Sequence, residues 1–149
     1  MIQYREVPCD LVPMSLLLIA DPLESKICDY LHGATCYGAF VENELVSVCV
    51  VNSNTDGEIE LFNIASLENM QGQGIGTKLL EFVISEFKNR NVTKLVLGTG
   101  TFGHQLAFYQ RLGFRAEEVV KNFFIDNYDE PIYENGLQHY DMLRFTLYM

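Results

Sequence analysis

Gln71, Gly72, Gln73, Gly74, Ile75, Gly76 and Thr77 follow one another between a segment that reads as a strand and a run with helical periodicity. From Ile75 to Asn89 the apolar residues Leu79, Leu80, Val83, Ile84 and Phe87 recur at three- and four-residue spacing. That spacing buries one face of a helix and leaves Lys78, Glu81 and Lys88 mostly outside. The first turn of a helix carries amide hydrogens with no partner in the helix, and the positive end of the helix dipole lies there too. Glycines let the backbone curve tightly and approach an anion without a Cβ clash. The stretch is therefore either a tight connection and nothing more, or a local anion site made of amides and suited to a pyrophosphate.

Two other phosphate-binding turns fit these residues poorly. A dinucleotide fingerprint belongs in the first unit of a parallel sheet, with an acid at the end of the next strand, whereas this turn follows an antiparallel meander. A P-loop needs Gly, Lys and then Ser or Thr; here Lys78 comes after Thr77, in reversed order, and reads as a solvated helix residue.

An anion site has to be local, because the chain as a whole repels anions. Its 149 residues carry 10 Lys and Arg against 20 Asp and Glu, a formal net charge of −10. That balance opposes attraction to nucleic acid or to an anionic membrane surface. It suits a cationic amine, although an acidic surface also serves solubility alone. With 48% hydrophobic residues the composition is ordinary for a globular chain, and the length fits one domain spanning 1–149. The apolar run Leu16 to Ala20 is too short to span a membrane, and Met1 to Pro8 lacks a secretory pattern, so a soluble cytoplasmic protein is expected. Cys9, Cys28, Cys36 and Cys49 form no CxxC pair, and His32, His104 and His139 are scattered. No metal site or disulfide framework is signalled, and buried or half-buried free thiols are expected.

Ile2 to Val7 reads as a first strand, and Asp10 is placed to cap a short helix through Ile19 with Pro13 tolerated early in it. Glu24 to Leu31 reads as a helix. Thr35 to Phe40 and Glu44 to Asn52 form a hairpin around Val41 to Asn43, and Asn52 to Gly57 turns into a third strand, Glu58 to Ser66. After the glycine-rich turn and its helix, Thr93 to Leu97 is a strand, Gly98 to Gly103 a loop, and Gln105 to Leu112 a helix that Gly113 ends. The strand, helix, strand, helix order implies a parallel pair. Late strands are expected from Phe114 onward, through Phe123, Phe124 and Tyr128, and over Tyr140 to Met149, around a turn at Asn135 and Gly136.

These residues resemble the GNAT superfamily of N-acetyltransferases. Its cofactor motif of Gln or Arg, two residues, Gly, one residue, Gly or Ala is matched by Gln71, Gly74 and Gly76. Its later signature, an aromatic pair, three residues, Gly and Phe, is matched by Phe108, Tyr109, Gly113 and Phe114. The resemblance covers most of the chain and implies an α/β (α+β) GNAT fold: a mixed central sheet with an antiparallel N-terminal meander and a splayed parallel strand pair, flanked by helices. Two departures stand out, Glu68 where a proline is frequent and Phe102 where an asparagine often precedes the tyrosine helix. The stretches Leu97 to Gln105 and Tyr128 to Gly136 resemble a bacterial branch of small GNAT proteins with no assigned substrate.

The resemblance implies acetyl-CoA as cosubstrate and transfer of its acetyl group to a primary amine of a small molecule or peptide by direct attack. It implies that a bulge in Glu58 to Ser66 frees the backbone of Ile64, Ala65 and Ser66 for the pantetheine and the acetyl carbonyl. Gln71, Gly72, Gln73, Gly74, Ile75, Gly76 and Thr77 would hold the pyrophosphate. Tyr109 would sit near the sulfur and protonate the leaving thiolate, the role its high phenol pKa suits; the alternative is a core aromatic beside Phe108. Glu60 matches an acid that takes the amine proton in some members, with Glu58 on the same face, and His104 is a lesser candidate base. Glu130, Glu134 and Asp141 either line an amine pocket or form an acidic surface loop. No cysteine lies in a motif, which disfavours an acyl-enzyme. The competing class is an acyl-CoA-binding sensor or regulatory module that keeps the fold without turnover. Edge strands leave room for a homodimer.

Overall fold

Glu42 and Asn43 adopt φ of 51° and 67°, the paired left-handed geometry of a two-residue hairpin turn, and they close strand β2 (Thr35–Val41) onto β3 (Glu44–Thr55). The computed structural model describes residues 1–55 and 57–149. Asp56, in the expected second turn, lies outside the described residues. The chain divides into two compact units, Met1–Thr93 and Lys94–Met149.

In the first unit β1 (Ile2–Val7), β2, β3 and β4 (Glu58–Ser66) form an antiparallel meander. One face of it packs Cys36, Phe40, Val48, Val50 and Ala65 against Leu16 and Leu17 of α1 (Met14–Leu17) and Ile27 of α2 (Glu24–Leu31). The other face receives α3 (Ile75–Lys88), whose Ile75 joins Ala39 and Val46. Tyr37 stands edge-on to Phe82 and Phe87 of that helix, each at a centroid distance of 6.0 Å. Ile75, Leu79, Leu80, Val83, Ile84 and Phe87 are all buried, the stripe that the sequence spacing predicts. Truncating one such leucine to alanine costs about 2–5 kcal/mol.

The expected helix from Asp10 to Ile19 is broken. Cys9–Leu11 forms a single 3-10 turn, and helix resumes only at Met14. Pro13 is responsible: the residue before a proline is driven out of the helical region, and Val12 is extended at ψ 121°. The expectation of free thiols fails at two positions, since Cys9 and Cys36 form a disulfide with Cα atoms 5.5 Å apart. Strand pairing brings them together, because Val7 lies opposite Cys36 and the 3-10 turn folds Cys9 back over the pair. Cys28 is free and exposed; Cys49 is free and buried, and burial pushes its thiol up to about 12.

In the second unit β5 (Lys94–Gly100) pairs antiparallel with β9 (Met142–Tyr148), which pairs antiparallel with β6 (Arg115–Val120). Helix α4 (Gln105–Arg111) follows β5. The expected late strand through Phe123 and Phe124 is instead a short helix, α5 (Phe123–Asn127). Asn122, left-handed at φ 60°, ends the strand direction and starts that helix, which brings Phe124 to Tyr128 at 5.9 Å. Asn135 and Gly136, at φ 53° and 77°, turn β7 (Tyr133–Glu134) into β8 (Leu137–Gln138) where the sequence places a turn.

Candidate active site

The glycine-rich turn leaves β4 through one 3-10 turn, Glu68–Met70, and two glutamines fasten it. Gln71 Nε2 donates to Ser66 O at 3.1 Å and Gln73 Nε2 to Asn69 O at 3.2 Å. Gly72 and Gly74 are left-handed, at φ 77° and 79°, and a Cβ at either would meet open space. What requires glycine there is the backbone conformation, and what it leaves is an approachable surface. Gly74 starts α3 with no side-chain cap, and the first bond of the helix is Lys78 N to Gly74 O at 3.1 Å. The amides of Ile75, Gly76 and Thr77 precede that bond and have no acceptor within the helix. Such donors, with the dipole behind them, have the chemistry that an anion site requires. They fit a pyrophosphate without any lysine or arginine.

Strand β4 carries the remaining first-unit candidates. Its register against β3 shifts between Asn63 and Leu61, leaving Phe62 as the extra residue of a bulge. Beyond the bulge the ladder is regular: Ile64, Ala65 and Ser66 face Cys49, Val48 and Ser47, and Leu67 N donates to Val46 O at 2.9 Å. Hydrogen-bonding pairs alternate in an antiparallel ladder, so Ala65 directs its amide to β3, whereas Ile64 and Ser66 direct theirs away. Gln71 takes the Ser66 carbonyl, and the Ile64 amide lies on the edge of β4 away from β3. Glu60 is half-buried on the same strand before the bulge, and Asn54 Nδ2 donates to Glu60 Oε1 at 2.9 Å and to Glu58 Oε2 at 2.8 Å. The amide holds the two carboxylates at one place on the strand.

Tyr109 belongs to the second unit, three-quarters of the way along α4. It is buried, 5% exposed, among Phe108, Phe114 and Phe145 at centroid distances of 5.1, 5.8 and 6.3 Å. The end of α4 explains the spacing of its motif. Gly113 N donates to Gln110 O at 3.0 Å and Phe114 N to Tyr109 O at 3.1 Å, with Gly113 at φ 100°. This is a helix stop in which a left-handed glycine lets two amides return to the last turn, and the residue after it packs on the one that accepts its amide. Tyr, three residues, Gly and Phe is thus the sequence of a helix end that fixes the tyrosine ring.

Glu134 accounts for His104 and for much of the acidic tail. His139, 7% exposed, meets Glu134 Oε1 through Nε2 at 2.9 Å and stacks on Phe102 at 4.0 Å. The exposed His104 lies 3.8 Å from the other oxygen of Glu134. Asp141 accepts from Asn122 N at 2.8 Å and pairs with Lys121 at 3.9 Å. These contacts bind the tail to itself. No group of three or more His, Cys, Asp and Glu side chains disposed for a metal ion occurs among the described residues, nor any helix long and apolar enough to cross a membrane.

A model of the acetyltransferase (GNAT) family matches residues 12–114, which include both motifs and β4. The chain belongs to the GNAT acetyltransferase family. A GNAT acetyltransferase structure from Elizabethkingia anophelis with acetyl-CoA bound is 41% identical at a TM-score of 0.94, covering 99% of this chain and 98% of that one. A structure described as an IAA acetyltransferase from Bacillus cereus is 35% identical at a TM-score of 0.93, covering 100% of both chains. The uncharacterized N-acetyltransferase YvbK of Bacillus subtilis is 38% identical over 133 residues, 89% of this chain and 86% of that protein. This GNAT chain is therefore an acyltransferase with the GNAT fold, an α/β arrangement of a mixed sheet flanked by helices.

Sequence reasoning missed a group of side chains beside the candidate residues of β4. Asn63 is 2% exposed; its Nδ2 donates to Leu17 O at 3.0 Å and to Tyr30 Oη at 2.9 Å. Tyr30 donates to Asp21 Oδ2 at 3.2 Å, and its ring stacks on Phe62 at 5.2 Å. The signal was an asparagine set within the otherwise apolar run Leu61 to Ala65 of a strand.

Proposed function

We propose that this GNAT protein moves the acetyl group of acetyl-CoA to a primary amine of a small molecule or peptide by direct attack. The observation that carries the reading is the row of uncapped amides at Ile75, Gly76 and Thr77 behind two left-handed glycines, a site for the cosubstrate's pyrophosphate in an otherwise anionic chain. In this reading the backbone of Ile64, Ala65 and Ser66 contacts the pantetheine and the acetyl carbonyl, and an Ile64 amide directed away from β3 stabilises the oxyanion as charge develops. The amine gives its proton to Glu60, directly or through water, and its lone pair forms the C–N bond. The C–S bond then breaks and the thiolate takes the phenol proton of Tyr109. The products are the N-acetyl amine and free CoA; solvent takes the proton from Glu60 and returns one to Tyr109.

The family match runs from residue 12 to 114, through both compact units, which supports reading the chain as one catalytic domain. We also propose cytoplasmic residence. A homodimer would use β6, whose residues Arg115 to Val119 are exposed.

Calorimetric titration of acetyl-CoA into wild type and Gly74→Glu tests the cosubstrate site. Saturable binding that the variant loses supports the reading. Absence of binding in wild type overturns it, and binding without turnover of any amine favours a sensor or regulatory module instead.

A further inference from the structure

Glu60 and Ile64 are separated on β4 by the bulge, and the groups gathered at that bulge describe the acceptor. Phe62, the extra residue, and Tyr30 of α2 stack with their rings 13° from parallel, and both are half-buried, so the pair presents ring surface as well as burying it. Asn63 spends both amide hydrogens, on Leu17 O and Tyr30 Oη, while its Oδ1 is buried with no hydrogen-bond partner. A buried acceptor in that state calls for an N–H donor. Leu17 is followed by Leu18 and Ile19, apolar side chains 37% and 42% exposed, at the residues next to the carbonyl that Asn63 holds. The two ring faces and the vacant acceptor are thus joined through Tyr30, and Phe62 and Asn63 stand two and three residues along β4 from the candidate base Glu60. That is the lining of a site for a small amphiphile, apolar with a few placed polar groups. A polyamine would need carboxylates spaced along its length; here Glu58 and Glu60 are gathered by one amide, that of Asn54.

We propose that Tyr30, Phe62 and Asn63 form the acceptor seat and select a primary amine on a flat apolar stem, the arylalkylamine class, with the stem against the rings and the amine N–H directed to Asn63 Oδ1. The assignment rests on the transferase reading above, since it places the nucleophile on β4 between Glu60 and Ile64.

The test compares phenethylamine, spermidine and an N-terminal alanyl peptide as acceptors at saturating acetyl-CoA, with acetyl-CoA affinity measured separately by calorimetry. Wild type is expected to favour phenethylamine over the other two by at least about tenfold in kcat/KM. Phe62→Ala and the gentler Phe62→Leu, which keeps apolar volume but loses the ring, are expected to raise the phenethylamine KM by about tenfold with acetyl-CoA affinity unchanged. Preference for spermidine or the peptide overturns the proposal, as does a phenethylamine KM unmoved in both variants. Acetyl-CoA binding with no acetylation of any of the three overturns the acceptor seat alone; no acetyl-CoA binding overturns the seat and the transferase reading together.

Discussion

Gly74 and Gly113 both adopt a left-handed backbone at a helix end, and both belong to a family motif, yet they leave opposite results behind them. Gly74 opens α3 and leaves Ile75, Gly76 and Thr77 with amides that no side chain caps. Gly113 closes α4 and returns two amides to the last turn, so the helix end is satisfied by its own chain. The first glycine has open space around it; the second has Leu147 Cδ1 at 3.2 Å from where a Cβ would stand. One spacing pattern thus leaves hydrogen-bonding capacity without a side-chain partner, and the other marks capacity consumed within the fold. A motif glycine is functional or structural according to where the neighbouring N–H groups go.

Charging the open end should produce the largest effect. Gly74→Glu places a carboxylate among the amides, and we expect acetyl-CoA affinity to fall by at least about 100-fold, near 2.7 kcal/mol, measured by calorimetry. The left-handed position adds a stability cost of about 1–2 kcal/mol, which a thermal melt reads separately. Unchanged affinity in a folded variant would remove the contrast between the two glycines. Next in size is the ring that the closed end holds. Tyr109→Phe keeps the packing on Phe114 and loses the phenol, so turnover should drop by about 10- to 100-fold with acetyl-CoA affinity intact. A lowered melting temperature with undiminished turnover would make Tyr109 part of the helix end only. Gly113→Ala should cost about 1–2 kcal/mol, a fall of roughly 3–6 °C in Tm, and leave acetyl-CoA affinity within twofold. A loss of affinity comparable to that of Gly74→Glu would show that the closed end also serves the ligand.

Local order was the legible part. The stripe of α3, the turn at Asn135 and Gly136 and the stop at Gly113 follow from residues within one or two turns of each other, and the structure places each of them there. Pro13 carried its own correction, because its effect on Val12 is local too and outweighs the helical pattern around it. The Cys9–Cys36 bridge was hidden because those residues are 27 apart and meet only through the register of β1 on β2. The group at the β4 bulge was hidden for the same reason: Asn63 reaches Leu17 across 46 residues and Tyr30 across 33. Both motifs of the candidate site could be read because each is a helix end, fixed by its own neighbours. The proposed acceptor seat joins two separate elements, α2 and β4, and no periodicity encodes that meeting.

The smallest effect belongs to a left-handed position that no ligand is expected to use. Asn91 follows α3 at φ 59°, a conformation asparagine tolerates because its short side chain bonds locally. Glycine accepts the same conformation without a Cβ penalty but loses more entropy on folding, so the two terms nearly cancel. Asn91→Gly should therefore change stability by no more than about 0.5 kcal/mol and leave acetyl-CoA affinity unchanged. Denaturant melts and calorimetry on the same preparation read both quantities. A large stability change would mean that Asn91 makes a contact beyond its backbone. A change in affinity would mean that left-handed turns affect the cosubstrate through the fold as a whole, and the special standing of the open end at Gly74 would then have to be given up.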